Sequence, residues 1–274
     1  VSKYQLWKVA AERYEFNDVA TLTLVAGITG HRREQFLKSW ASQSVEEAYQ
    51  RNRHMPFITI IDSKYPEILR NMYCPPLVLY FMGDIRLLQS KCLAVVGARK
   101  MSSYAQKALL NLLPPVIHQK TTVVSGLARG VDGLSHQIAL NHEGKTIAVV
   151  ANGLNRVYPP EHDRLQRMIK RHGLIVSEYP LDTPSLPHQF VERNRIIAGL
   201  SQACLIVEAR KKSGSLITAS ISLQENRNVL AVPGPIDSEL SAGCNELIAI
   251  GARPVMNAND ILEELSNHFY TVQE

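Results

Sequence analysis

From Lys91 onward the chain alternates short, nearly uninterrupted apolar runs with longer segments whose apolar residues recur at helical spacing. The runs KCLAVVG, TTVVSG, KTIAVVA, LIVSEY, ACLIVEA and NVLAVPG are rich in β-branched residues and too short for buried helices, so they predict strands. Between them, SYAQKALLNLLPPVIHQ, HDRLQRMIKRH, QFVERNRIIAGLS and SLITASISLQEN carry the helical period. Strands that are apolar on both faces and alternate with helices predict a mainly parallel sheet covered on both sides. That is an α/β, doubly wound, Rossmann-like domain. ARPVM followed by NDILEELSNHF reads as a last strand and helix.

The texture before Lys91 differs. SKYQLWKVAAERY, NDVATLTLVAG, HRREQFLKSWASQ and VEEAYQRN predict short helices, and FITIID, YPEILRNMY and LVLYFMGD predict a strand, a short helix and a strand. The division this suggests is a helical domain over 1–54 and the Rossmann-like domain over 55–274. Gly27 and Gly30 in AGITGHRREQFLKSW fit a helix-hairpin-helix turn and equally a plain bundle whose glycines cap a helix.

Composition leaves this picture in place. Of 274 residues, 45% are hydrophobic and 20% charged, as in an ordinary globular protein. No run of about 18 apolar residues would span a bilayer and no signal-peptide core opens the chain, so no membrane contact and a cytoplasmic location are expected. Cys74, Cys92, Cys204 and Cys244 have no metal-ligand spacing, so neither a disulfide nor a metal is expected. Charge is informative through its distribution: 91–212 hold 17 Lys/Arg against 8 Asp/Glu, whereas 213–274 hold 2 against 8. A basic middle and an acidic end predict an anion-binding face and a separate surface for another partner.

Ligands of open α/β sheets bind beyond the carboxyl ends of the strands. The residues there are Arg99 and Lys100; Arg129; Asn152, Asn155 and Arg156; and Arg210, Lys211 and Lys212, with Arg193, Asn194 and Arg195 on the helix before the fifth strand. The dinucleotide fingerprint is absent, since the first turn, VGARKMSS, has a single glycine and the second strand ends at Ser125, so no cofactor is expected. The GKT at 144–146 precedes a strand where a phosphate loop needs a helix. Ser125, Asp132 and His136 are near in sequence, but SGLARG is not a nucleophile elbow.

What remains is phosphate held by glycine-turn amides with arginines around it. Ser125, Gly126, Arg129, Gly130 and Asp132 form one such turn; Ser213, Gly214, Ser215 and Thr218 form a second. Two turns on a basic rim suit an extended polyanion better than one small ligand. Phe190, then Tyr158 and Tyr179, are the aromatic candidates to stack bases. The alternative is a nucleotide or phosphoribosyl hydrolase with Glu178 or Glu208 as its base.

The ordered blocks VVGAR, VVSGLARGVDGLSHQIAL, GKTIAVVANGLNRVYPPEHDRL, SEYP, ERNRIIAGLS, SGSLITA, AVPG and GCNELIAIGA resemble the DNA-processing protein A (DprA, or Smf) family over about 55–265. The resemblance implies an extended Rossmann fold behind a sterile-alpha-motif-like N-terminal domain. It also implies a non-enzymatic single-stranded DNA-binding protein of natural transformation that protects incoming DNA and loads RecA recombinase onto it. Carried over by motif, the DNA pocket falls on Arg99, Ser125, Gly126, Arg129, Gly130, Asp132, Arg193, Asn194 and Arg195. A homodimer surface falls around Asn245, Ile248 and Pro254, with RecA contact in the same C-terminal region. Ala151, Asn152 and Asn155 depart from the family's usual glycine and aspartate in that rim.

Overall fold

A computed structural model of the chain describes residues 23–24 and 27–267. The first predicted helix and most of the second lie outside these residues. The third and fourth are α1 (Gly30–Trp40) and α2 (Gln43–Asn52). Between Leu24 and α1, Gly27 has φ +64°, and the amides of Gly27 and Ile28 bond the carbonyls of Leu24 and Thr23 at 3.0 and 2.8 Å. This is a Schellman-type helix stop, with Gly27 supplying the left-handed residue and Ile28 buried behind it.

The next two strands, β1 (Phe57–Thr59) and β2 (Val78–Gly83), flank a one-turn helix, α3 (Glu67–Arg70). They pair antiparallel with each other, and β2 pairs antiparallel with β6 (Leu174–Ser177). This strand-helix-strand segment therefore widens the sheet at one edge and is not a parallel crossover unit.

The predicted alternation follows: β3 (Cys92–Val96), α4 (Ser103–His118), β4 (Thr122–Ser125), α5 (Val131–Asn141), β5 (Thr146–Val149), α6 (Asp163–His172) and β6. Then come α7 (Pro187–Gly199), β7 (Ala203–Ile206), α8 (Gly214–Gln224), β8 (Asn228–Ala231), α9 (Ala242–Ala249), β9 (Arg253–Pro254) and α10 (Ala258–Asn267). The strand order is β1-β2-β6-β5-β4-β3-β7-β8-β9, parallel from β6 to β9. The chain winds outward from β3 to β6, then returns to place β7 on the other side of β3.

Period-two alternation sorts the side chains into two cores. Cys92, Ala94, Val96, Cys204 and Ile206 face α7, α8 and α9 through Ile196, Ala219 and Leu247. Leu93, Val95, Ala203 and Leu205 face α4, α5 and α10 through Leu109, Val131 and Ile261. Farther along that second side, α6 packs Leu165 and Ile169 on Ala148 and Ile175. Leu93 and Leu205 are 0% exposed, and burying each such side chain contributes about 1.5–3 kcal/mol. Cys92 and Cys204 act as small core hydrophobes, and burial pushes both thiols up to about 12. No helix among the described residues is long and apolar enough to cross a membrane.

Candidate functional site

Strand order reverses between β3 and β7, and the turns leaving these two strands part there to open a crevice. A cleft of about 610 Å³ lies at this point. Its walls are Gly97, Ala98 and Arg99 after β3, Ala128 and Asp132 around the β4–α5 turn, and the first half of α7. The start of α8 and Tyr158 complete it.

Of the residues selected from the sequence, Arg99, Asp132, Phe190, Arg193, Asn194, Ser213, Gly214, Ser215 and Thr218 line the cleft. Arg99 is exposed, and its guanidinium lies 5.5 Å from the centroid of the Phe190 ring. Phe190 in turn meets Tyr158, with centroids 5.2 Å apart. Arg99, Phe190 and Tyr158 thus form a tier with one cation and two aromatic faces, which suits a base with its phosphate.

The opposite wall is the N-terminus of α8. Ser213 caps the helix in extended conformation without a side-chain capping bond, and its buried Oγ has no partner within the protein. A Cβ at Gly214 would meet nothing within 4 Å, so its backbone stands open to whatever enters. Amides at a helix N-terminus favour an anion. Thr218 is turned inward, its hydroxyl donating to the Gly214 carbonyl at 3.4 Å.

The β4–α5 turn supports this cleft from behind. Gly130 has φ +73°, and a side chain there would collide with the carbonyls of Ala98 and Arg99; only glycine lets the two turns approach so closely. Ser125 is buried, its Oγ donating to the Val95 carbonyl at 2.6 Å. The Gly126 amide donates to Asp132 Oδ2 at 3.1 Å. Burial pushes the Asp132 carboxyl above the usual range, opposed by the charge of Arg193 and by the turn amides.

The arginines divide by environment. Arg193, 5% exposed, donates through Nη1 to the carbonyls of Gly126 and Val149, both at 2.5 Å. Burial pulls its guanidinium down to about 10, with Asp132 working against the shift. Arg193 therefore builds the cleft floor, binding the glycine turn to β5. Arg195 is outside the cleft, with Nη2 on both oxygens of Glu178 at 2.6 Å. Arg129 projects from the turn at the rim and pairs with Glu161, on the short 3-10 helix Pro160–His162.

The contacts of Glu161 and Tyr158 escape a reading of the sequence because 32 residues separate Glu161 from Arg129 and as many separate Tyr158 from Phe190. His136 donates from Nδ1 to Thr146 Oγ1 at 2.6 Å, since that hydroxyl itself donates to the Val123 carbonyl. It serves the core and not Asp132. The carboxylates weighed as bases are engaged elsewhere: Glu208 accepts from the amide and hydroxyl of Ser102 at the start of α4, and Glu178 holds Arg195. Neither lines the cleft.

At the acidic end, Asn245 holds Gly234 with two hydrogen bonds, at 3.0 and 3.2 Å. Ile248 is partly buried against the core, and Pro254 is exposed on the edge strand β9. Ile236, Ile250 and Met256 in the same part of the chain are 99, 77 and 73% exposed.

Comparison with known proteins matches these features. The family model for DNA recombination-mediator protein A covers residues 56–266. The DNA processing protein DprA of Bacillus subtilis is 37% identical over 80% of this chain and 74% of its own length. Protein Smf of Escherichia coli is 40% identical over 87% of this chain and 64% of its own length. The X-ray structure of Streptococcus pneumoniae DprA superposes with a TM-score of 0.90 at 33% identity, covering 96% of this chain and 93% of that one. A Helicobacter pylori DprA structure, described for its single-stranded DNA binding mode, has a TM-score of 0.67 at 28% identity over 79% of this chain and 98% of that one. With its ordered blocks matched by that family model and its sheet by those structures, the chain belongs to the DNA recombination-mediator protein A family, the DprA/Smf proteins.

Proposed function

We propose that this protein binds single-stranded DNA in the switch-point cleft and acts, without catalysing a reaction, as a recombination mediator of natural transformation. The observation that carries the reading is the pairing of the Arg99–Phe190–Tyr158 tier with the open α8 N-terminus across one cleft. One wall offers a cation and π-faces, the other backbone amides. Such a site takes a backbone and its bases with little regard to sequence. The described binding of single-stranded DNA by the Helicobacter pylori relative supports it.

The engagement of Glu178 and Glu208 outside the cleft weighs against the hydrolase alternative. In this proposal Arg99, Phe190, Asn194 and the Ser213–Ser215 amides touch DNA. Arg129 and Gly130 shape or guard the rim, and Ser125, Gly126, Asp132, Arg193 and Thr218 hold the cleft in form. Arg195 positions α7. Protection of incoming DNA, loading of RecA, a cytoplasmic location, a separate helical domain over 1–54, and a homodimer around Asn245, Ile248 and Pro254 belong to the same proposal. They rest on family membership, and for the dimer also on the exposed apolar side chains beside it.

The test is competition. Labelled oligo-thymidylate bound to the protein is followed by fluorescence anisotropy while unlabelled single strand, duplex or mononucleotide is added. The reading expects the single strand to compete, duplex to compete weakly and mononucleotide hardly at all. Displacement by micromolar mononucleotide would favour a small-ligand enzyme.

A further inference from the structure

A second depression, of about 620 Å³, runs along the outer surface between α7 and α8. It adjoins the cleft: Val191 and Ser213 line both. Its floor is aliphatic, formed by Leu216, Ile217 and Ile221, and Val191 and Ile217 are 47 and 39% exposed.

The cation at its edge is distinctive. Arg210, Lys211 and Lys212 are consecutive, yet Arg210 pairs with Glu239 and Lys211 with Glu246. Lys212 alone of the three lines the groove, and among the described residues its ammonium has no ion-pair or hydrogen-bond partner. Its backbone holds φ +58°, a left-handed conformation that side-chain-bearing residues rarely adopt. That conformation turns the chain into Ser213, whose buried, unpartnered Oγ stands where cleft and groove meet. The structure thus places an unneutralised cation, an unsatisfied hydroxyl and an exposed aliphatic floor in continuity with the proposed DNA cleft.

We infer that the α7–α8 groove is a second nucleotide subsite, which takes the single strand as it leaves the cleft. A phosphate sits between Ser213 and the α8 amides, the following base lies on Ile217 and Ile221, and the next phosphate faces Lys212. This inference rests on the cleft itself binding single-stranded DNA. It also gives the strand a direction across the protein, over the N-terminal turn of α8 and along its outer face. A surface with this apolar floor could equally seat a second copy of the chain, but the free Lys212 and the passage into the cleft favour a polyanion that carries flat apolar bases.

The experiment compares two oligo-thymidylates, one too short to extend beyond the cleft and one several times longer, on the full chain. The variants are Ile217→Asp, Lys212→Glu and, as a control in the cleft, Arg99→Glu. Both groove positions are on the surface, so folding is checked by circular dichroism and is expected to be unchanged.

The inference expects Ile217→Asp to weaken the long oligonucleotide about five- to tenfold and to leave the short one within about twofold. Lys212→Glu is expected to flatten the salt dependence of the long one by about one phosphate, roughly 0.7 in log–log slope. A thiol-reactive photo-crosslinker at Ser220→Cys should capture the long strand only. If Arg99→Glu weakens both oligonucleotides while the groove variants bind both as wild type does, the groove is overturned and the cleft stands. If Arg99→Glu also binds both normally, the cleft reading itself has failed. A change of molecular mass in Ile217→Asp without change in DNA affinity would make the groove a protein interface and overturn the inference.

Discussion

Two arginines line the cleft, Arg99 exposed and Arg193 buried, and Arg193→Met tests whether the buried one belongs to the scaffold. Arg193 is 5% exposed, beside the buried carboxyl of Asp132, and carries the carbonyls of Gly126 and Val149 on one nitrogen. Methionine keeps the length of the side chain and removes the charge and the donors. Arg193 and Asp132 interact through their charges without ion-pair contact, so losing that countercharge costs less than the ~3–5 kcal/mol of a broken buried pair. Each carbonyl left without its donor adds about 1–3 kcal/mol, less whatever water recovers. The two carbonyls alone put the loss at about 2 kcal/mol or more, a sizeable share of a typical total of about 5–15 kcal/mol.

The assay is urea unfolding followed by circular dichroism, where a slope of about 3 kcal/mol per molar puts the midpoint lower by about 0.7 M or more. The deficit should also depend on pH. Without Arg193, Asp132 keeps its burial and loses its countercharge, so its folded pKa rises further above the unfolded value. A folded state that holds its proton more tightly than the unfolded one is favoured at low pH and loses that advantage as pH rises through the raised pKa. The deficit of the variant is thus smaller near pH 5 than near pH 8, and Asp132→Asn added to Arg193→Met should restore part of the stability at the higher pH. A variant within about 1 kcal/mol of wild type at both pH values would refute the assignment of Arg193 to the scaffold.

Gly130→Ala should destabilise the protein by about 2 kcal/mol or more and weaken DNA binding with it, because the added carbon at φ +73° drives the Arg99 turn away; urea unfolding and anisotropy measure both. Burial holds His136 down at about 3, whereas the unfolded chain takes a proton at about 6.5. Its contribution is complete above about pH 6.5 and is lost as pH falls toward 3, at about 1.4 kcal/mol per unit. Unfolding near pH 5 should show a loss of about 2 kcal/mol from this group, and His136→Asn should remove that dependence. Ile248→Arg should give a monomer by light scattering, and an unchanged mass would place the proposed dimer contact elsewhere.

The parallel sheet was legible because six short strands, each apolar on both faces, admit few other arrangements; Leu93 and Cys92 point opposite ways, and both are buried. The strand ends were legible for the same reason, and they led to Arg99, Phe190 and the Ser213–Ser215 turn. What sequence could not convey was direction and partner. FITIID and LVLYFMGD gave no sign that they pair antiparallel, because pairing depends on the edge of β6, about a hundred residues away. Arg193, Asn194 and Arg195 are adjacent in sequence, yet helical geometry sends the first to the floor, the second to the cleft and the third to Glu178. Glycine turns at strand ends predict room for a phosphate. Gly126 and Gly130 also make room for Arg193 and for the Ala98 and Arg99 carbonyls, neighbours that lie too far off in sequence to be read there.

The most direct test of the central claim is the salt dependence of oligo-thymidylate binding for wild type and for Arg99→Glu, measured side by side by anisotropy. The account predicts that wild-type affinity falls with salt by about 0.7 in log–log slope for each phosphate neutralised. It predicts for Arg99→Glu, folded as wild type is, a much lower affinity and a flatter slope. Binding that ignores salt, or an Arg99→Glu protein that binds as wild type does, would contradict it.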